Sequence, residues 1–186
     1  MSELTDATIA QRHRLLAEQF LNLAGGVPDW DAPTPVKEWQ TRDVVEHLRW
    51  LPDMLAGMGV DLQIPQADSA VDQLRAQTVR VQEVLAGPRG EQVIDTPMLG
   101  ALPMAQVIDS FYTTDLFLHA WDLARGSGQE LVLDEDFASR AYEGMVGMGP
   151  ALHESGQFGT PQPVAEDASV QDRLIAYIGR DPAWTP

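Results

Sequence analysis

Apolar residues recur at intervals of three and four through most of this sequence, and that spacing is typical of amphipathic α-helices. Five long segments show the pattern: residues 4–23, 41–57, 67–85, 103–125 and 134–153. A shorter segment at 169–178 repeats it, whereas residues 89–102 mix Gly, Pro and short apolar pieces. Such a composition leaves room for at most a brief extended pair. The sequence therefore predicts an all-α fold.

The length and composition indicate one domain. The chain has 186 residues, of which 44% are hydrophobic, enough to bury a core of its own. Because both short and long connections separate the helical segments, we expect a bundle with crossover connections and a short C-terminal helix, spanning residues 1–186. A homodimer is compatible with this pattern, since a helical stripe that faces a partner looks the same as one that faces the core.

The charge balance excludes two classes of partner. With 28 acidic and 12 basic side chains, the net charge is −16, and the resulting field repels nucleic acid and anionic membranes. The sequence contains no apolar run of about 18 residues. Its N-terminus, Met-Ser-Glu-Leu-Thr-Asp, lacks the basic and apolar regions of a signal peptide. We therefore expect a cytoplasmic protein.

Cysteine and histidine are scarce. The absence of cysteine excludes disulfides, zinc–cysteine sites and a nucleophilic thiol of the protein itself. The chain has four histidines, so any site built on imidazole draws on a short list. We predict that His13, in the charged run Gln-Arg-His-Arg, and His153, beside Glu154, are solvated.

The remaining two histidines suggest a metal site. Asp115 and His119 lie four residues apart in one helical segment, which places both on one face within reach of a shared ion. His47 is the third candidate ligand. Two imidazoles and one carboxylate can hold Zn, Ni, Fe or Mn with coordination positions left open. Asp122, three residues after His119, could orient that imidazole through its other ring nitrogen.

Spacing alone leaves other interpretations open. Asp115 and His119 could form a hydrogen-bonded pair without a metal, and His47 could be a core histidine bonded to a backbone carbonyl. Trp121 could line a pocket beside the ligands or simply pack in the core. Four arginines could grip an anionic substrate or form surface ion pairs: Arg42, Arg49, Arg125 and Arg180.

Three stretches together carry a family resemblance. Residues 33–48 read Pro-Thr-Pro-Val-Lys-Glu-Trp-Gln-Thr-Arg-Asp-Val-Val-Glu-His-Leu, and residues 115–125 read Asp-Leu-Phe-Leu-His-Ala-Trp-Asp-Leu-Ala-Arg. Residues 172–184 read Asp-Arg-Leu-Ile-Ala-Tyr-Ile-Gly-Arg-Asp-Pro-Ala-Trp. The sequence resembles the DinB-like superfamily, specifically the actinobacterial branch that includes mycothiol-dependent maleylpyruvate isomerase. The first two stretches are similar to that branch's ligand-bearing segments, and the third to the tail of a metal-binding subgroup.

The resemblance implies a fold, a metal site and a chemistry. It implies an antiparallel four-helix bundle of DinB type, with a divalent metal, zinc foremost, held at one end by His47, Asp115 and His119. In the isomerase-like relatives the carboxylate is usually Glu, whereas here it is Asp115. It also implies a transferase or isomerase in which the metal activates mycothiol or another small thiol toward a small electrophilic substrate, with Arg49, Arg125 and Trp121 as candidate substrate contacts. The alternative is a non-catalytic metal-binding or stress-response protein of the same fold.

Overall fold

The computed structural model describes residues 1–96 and 100–186, and most of them are helical, as the periodicity predicts. One two-stranded sheet accompanies the helices. The α-helices of the described residues are α1 (Glu3–Asp6), α2 (Ile9–Gly25), α3 (Thr41–His47), α4 (Leu51–Gly57), α5 (Ala70–Ala86), α6 (Met104–Val107), α7 (Thr114–Gly126), α8 (Glu135–Gly147), α9 (Ala151–Glu154) and α10 (Val170–Tyr177).

Local chemistry divides some of the predicted helices. The segment predicted at 4–23 forms two helices because Ala7 is extended and Thr8 caps α2, accepting a hydrogen bond from the amide of Gln11. The segment predicted at 41–57 also divides, into α3 and α4, because Pro52 has no amide hydrogen and occupies the first turn of a new helix. The 134–153 segment ends early, at Gly147, before the short α9.

The caps of the later helices follow the sequence signals. Ser69 caps α5, Asp134 caps α8 and Ser169 caps α10, each accepting a hydrogen bond from an amide in the first turn. Thr41 is of a residue type favoured at N-caps, but Gln40 takes the cap position of α3, and the Thr41 hydroxyl donates to the Asp29 carbonyl at 2.7 Å. This bond ties the start of α3 to the preceding loop.

A helix runs without interruption through residues 104–126, beginning after Pro103 as predicted. Its middle, Ile108–Thr113, is π-helical, so that the Thr114 amide donates to the Asp109 carbonyl five residues back. The π-helical segment widens the helix immediately before Asp115. A widened turn of this kind changes the direction in which the following side chains project.

Helix α7 separates two hydrophobic cores. The first core is built by α2, α3, α4, α5 and one face of residues 104–126, with Phe20, Leu48 and Leu74 fully buried. The second is built by α1, α8, α9, α10, Leu16 of α2 and the opposite face of α7, which contributes the buried Trp121. Both faces of α7 are buried, and its buried His119 and Asp122 are paired with each other within the protein.

The predicted extended pair is present as β1 (Val93–Thr96) and β2 (Gly100–Pro103), which are antiparallel, with Ile94 opposite Leu102. The hairpin leads directly into α6. No helix within residues 1–96 and 100–186 is both long enough and apolar enough to cross a membrane.

Candidate metal centre

The last residue of α3 and the first turns of α7 bring His47, Asp115 and His119 together. His47 Nε2 lies 3.2 Å from Asp115 Oδ2, and His119 Nε2 lies 3.4 Å from Asp115 Oδ1. One potential ligand atom from each of the three side chains lies within 4.8 Å of the other two. The carboxylate thus stands between two imidazoles from different helices.

The donor set fits a first-row divalent ion. Ligand bonds of about 2.0–2.1 Å in a tetrahedral zinc site place the donor atoms about 3.3 Å apart, and each imidazole lies at about that distance from a different oxygen of Asp115. Two neutral imidazoles and one carboxylate are also a ligand set used by catalytic zinc, which keeps a further position for water or substrate. The three side chains therefore suit a metal with open coordination positions.

Asp115 is held as a carboxylate. The Trp50 indole donates its Nε1 hydrogen to Asp115 Oδ2 at 2.8 Å, and His47 Nε2 lies on the same oxygen. Burial raises the pKa of Asp115, but attraction to His119 and the interactions with His47 and Trp50 outweigh it, so the pKa is lowered. A carboxylate that stays ionised is the form that binds a cation.

His119 is fixed by a buried pair of charged side chains. Its Nδ1 lies 2.9 Å from Asp122 Oδ2, while Arg180 reaches the same carboxylate with Nη2 at 3.1 Å and Nε at 3.4 Å. Burial raises the pKa of Asp122, but the charge of Arg180 and the bond to His119 outweigh it, so the pKa is lowered. The imidazole, carboxylate and guanidinium form a row leading away from Asp115.

Trp39 covers the two imidazoles from the loop before α3. Its ring stacks on His119 at a centroid distance of 5.6 Å and lies 5.0 Å from the ring of His47. The loop approaches α7 closely at Gly126, where an added Cβ would come within 2.9 Å of the Pro33 carbonyl. Glycine at this position thus allows the loop to seat Trp39 over the site.

The site opens to solvent on the His47 side, where 35% of that side chain is exposed. His47, Arg49 and Trp50 line a cavity of about 620 Å³ between α3, α4 and the start of α5. Arg49 pairs there with Glu46. A second, shallower cavity of about 480 Å³ lies between His47 and Trp39.

Two of the candidate substrate contacts lie elsewhere. Trp121 is 1% exposed in the second core, and Arg125 stacks over its ring with Cζ 5.3 Å from the ring centroid. Neither residue lines the two cavities beside His47. The reason is helical geometry: Trp121 projects from a different face of α7 than Asp115, and Arg125 lies almost three turns further along the helix.

The prediction that His13 and His153 are solvated is wrong. His13 is fully buried against the π-helical segment, where its Nδ1 lies 3.1 Å from the Thr113 hydroxyl, and burial lowers its pKa to about 4. His153 is half-buried, with Nδ1 2.9 Å from the Gly159 carbonyl. Charged neighbours in the sequence misled the assignment of His13, because Arg12 is itself buried in an ion pair with Asp109.

Three residues of the site carried only weak sequence signals. Trp50 follows His47 by three residues, a spacing that places it near the ligands, but nothing in the sequence indicates its bond to Asp115. Trp39 comes from an irregular loop whose path the sequence does not specify. Arg180 was a candidate for an anionic substrate, whereas the structure pairs it with Asp122.

Comparison with known proteins places the chain in a family. It is 31% identical over 152 residues, 80% of this chain and 83% of theirs, to the uncharacterized proteins MT0763 and Rv0738 of Mycobacterium tuberculosis, from strains CDC 1551 / Oshkosh and ATCC 25618 / H37Rv respectively. The chain belongs to the family of these mycobacterial proteins. No protein-family model matches the sequence. No solved structure matches it either.

Proposed function

We propose that this protein binds a divalent metal, zinc foremost, through His47, Asp115 and His119, in a DinB-like four-helix bundle. The observation that carries the proposal is the convergence of these three donors with mutual distances within 4.8 Å. The helices around the first core, namely α2, the α3–α4 pair, α5 and residues 104–126, would form the bundle. The site would then lie where α3 meets α7.

We further propose that the bound ion activates a small exogenous thiol, such as the mycothiol used in the isomerase branch that this sequence resembles. When bound, the ion lowers the pKa of a coordinated thiol and so supplies a thiolate near neutral pH. The chain has no cysteine, so the sulfur must come from outside. The exposed flank of His47 and the adjacent cavity provide a path for such a molecule.

The protein's own residues would supply charge, exclude water and bind the reactants. Asp115 carries a negative charge beside the two imidazoles, and the hydrogen bond from Trp50 stabilises that charge. Trp39 stacks on His119 and screens it from water. The cavity beside His47 would bind the body of the thiol and a small electrophile, with Arg49 at its wall. The thiolate's electron pair would form a C–S bond at an electron-poor carbon of a conjugated double bond, whose π electrons move onto the conjugated carbonyl. In a transferase the resulting enolate takes a proton from water and the C–S bond stays. In an isomerase the former double bond rotates, the electrons return to it and the thiolate is expelled.

Metal content tests the first part of the proposal. Untagged wild-type protein, His119→Ala and the control His153→Ala would be reconstituted with Zn²⁺, desalted and measured by elemental mass spectrometry, with circular dichroism to verify folding. We expect near-stoichiometric zinc in the wild type and the control, and loss of zinc from His119→Ala. Wild-type protein that retains no metal would overturn the metal-binding proposal.

Cobalt substitution tests the second part. Co²⁺-loaded wild-type protein would be titrated with mycothiol, and with its oxidised disulfide form as the matched control. Thiolate coordination should produce a sulfur-to-cobalt charge-transfer band with the thiol alone. A cobalt site whose spectrum does not respond to the thiol would leave a metal-binding protein without thiol chemistry, which is the non-catalytic alternative.

A further inference from the structure

Arg180 is a buried guanidinium whose position calls for an explanation. It is 8% exposed, and its partner Asp122 is fully buried. Burying such a pair is expensive, and well-packed apolar residues in its place are often neutral or stabilising. Asp122 has another neighbour besides Arg180: the Nδ1 of His119, one of the proposed metal ligands. The pair thus extends directly from the proposed site.

We infer that Arg180 is a positioning residue: through Asp122 it fixes the orientation of His119, so that Nδ1 carries a proton and Nε2 faces Asp115 and His47. The inference rests on the proposed metal site. Arg180 contacts both carboxylate oxygens, Oδ1 through Nε and Oδ2 through Nη2. A two-point contact of this kind fixes the plane of the carboxylate and hence the direction of the hydrogen bond that His119 donates.

The backbone around Arg180 is itself tightly held. Gly179 has a φ of +90°, and its backbone crosses Gly159 so closely that an added Cβ would lie 2.5 Å from the Gly159 Cα. The Arg180 amide donates to the Ile175 carbonyl at 3.0 Å, and its Nη1 donates to the Ile178 carbonyl at 2.9 Å. The guanidinium therefore reaches Asp122 from a fixed support.

This arrangement connects two parts of the fold. His47 and Asp115 lie beside the first core, whereas Ile178, which precedes Arg180, packs in the second. The row from Arg180 through Asp122 to His119 crosses α7 and joins them. It follows that the segment after α10 contributes to the metal site without supplying a ligand.

Metal affinity separates positioning from docking of the C-terminal segment. Arg180→Met removes the guanidinium but keeps an apolar stem, and Arg180→Lys keeps a charge without the two-point contact. Ile178→Ala removes an apolar side chain of the same segment from the second core but keeps the Ile178 carbonyl that accepts from Arg180. Zinc affinity, measured by competition with a chelating dye, should fall about 10–100-fold in Arg180→Met, as for other residues that orient metal ligands. The zinc affinity of Arg180→Lys should lie between those of Arg180→Met and the wild type, and Ile178→Ala should bind zinc as tightly as the wild type does.

A double-mutant cycle sharpens the test. If Arg180 acts through Asp122, adding Arg180→Met to Asp122→Asn should weaken zinc binding no further. Full affinity in Arg180→Met, or an equal loss in Ile178→Ala, would overturn the inference. Thermal unfolding of every metal-free variant identifies any that fail to fold, and Arg180→Lys then serves in place of Arg180→Met.

Proton NMR of the metal-free protein tests the inference even if zinc binding fails. The His119 Nδ1 hydrogen, assigned by its absence in His119→Gln, should give a downfield signal protected from exchange in the wild type and in Ile178→Ala. We expect Arg180→Met to lose this protection, whereas an unchanged signal would overturn the inference. A wild type that binds no zinc but shows the Arg180-dependent signal would refute the proposed function alone.

Discussion

Two buried histidines on neighbouring helices show what burial does to imidazole with and without carboxylates. His119 has a carboxylate near each ring nitrogen, Asp122 at Nδ1 and Asp115 at Nε2. His13 has the hydroxyl of Thr113 at Nδ1, and its Nε2 finds no hydrogen-bond partner within the described part of the chain. Both rings are almost fully shielded from solvent, at 4% and 0% exposure.

The difference lies in what each environment favours. Around His13, burial without a charged partner lowers the pKa to about 4, so the ring is neutral and behaves as part of the core. Around His119, Asp122 can accept a hydrogen bond from Nδ1, while Nε2 lies beside the other candidate ligands. Burial alone therefore does not distinguish a candidate metal ligand from a core histidine; the partners of the ring do.

Removing the Asp122 carboxylate, which lies beside His119, should have the largest effect on stability. Asp122→Ala leaves Arg180 buried without its counter-charge, and breaking a buried pair in this way costs about 3–5 kcal/mol. Urea unfolding of the metal-free protein measures the loss. Adding Arg180→Met should recover most of it, since the unpaired buried guanidinium is then gone. A single variant as stable as the wild type would show that Arg180 finds another partner.

The pKa of His13 should appear as a pH-dependent stability. Its pKa is lowered from 6.5 to about 4 on folding, so between those values the unfolded chain binds more protons and stability falls as the pH falls. The free energy of unfolding should decrease by about 3 kcal/mol from pH 7 to pH 4 on account of this residue. Unfolding of the wild type and of His13→Leu across that range measures the difference.

The carboxylates of the candidate metal centre serve as an internal control for that profile. Because the pKa values of Asp115 and Asp122 are lowered from 3.8, their contribution is present above that value and is lost only at lower pH. The two windows therefore do not overlap. Equal slopes for wild type and His13→Leu between pH 4 and pH 6.5 would contradict the assignment of the shift to His13.

Periodicity predicted most of the helices, because an apolar stripe depends on spacing that the sequence displays directly. It failed where a helix is interrupted but the apolar residues on both sides keep the helical spacing. Leu4 is buried against the second core although Ala7 interrupts the helix. It also gave no sign of the π-helical segment at Ile108–Thr113, since one wider turn barely disturbs the pattern. Such features depend on tertiary packing rather than on local preference.

The site was predictable to the extent that it is local. Asp115, His119 and Asp122 share one helix, so their mutual spacing could be calculated from helical geometry. Arg180 lies 58 residues beyond Asp122, and their contact depends on how α10 packs against α8. The burial of His13 likewise depends on α2 packing against the π-helical segment, which its charged neighbours in the sequence conceal.

The smallest expected effect on stability comes from removing the Thr113 hydroxyl, which lies beside Nδ1 of His13. Thr113→Val is nearly isosteric and keeps the β-branch, but it leaves both ring nitrogens of His13 without a partner, which should cost about 1–2 kcal/mol. Thr114→Val is the matched control, because its half-buried hydroxyl donates only to the Asp109 carbonyl at 3.3 Å. In the His13→Leu background the Thr113→Val substitution should cost much less, since no imidazole remains to be paired. Equal losses for Thr113→Val with and without His13 would mean that the hydroxyl stabilises the π-helical turn rather than the buried ring.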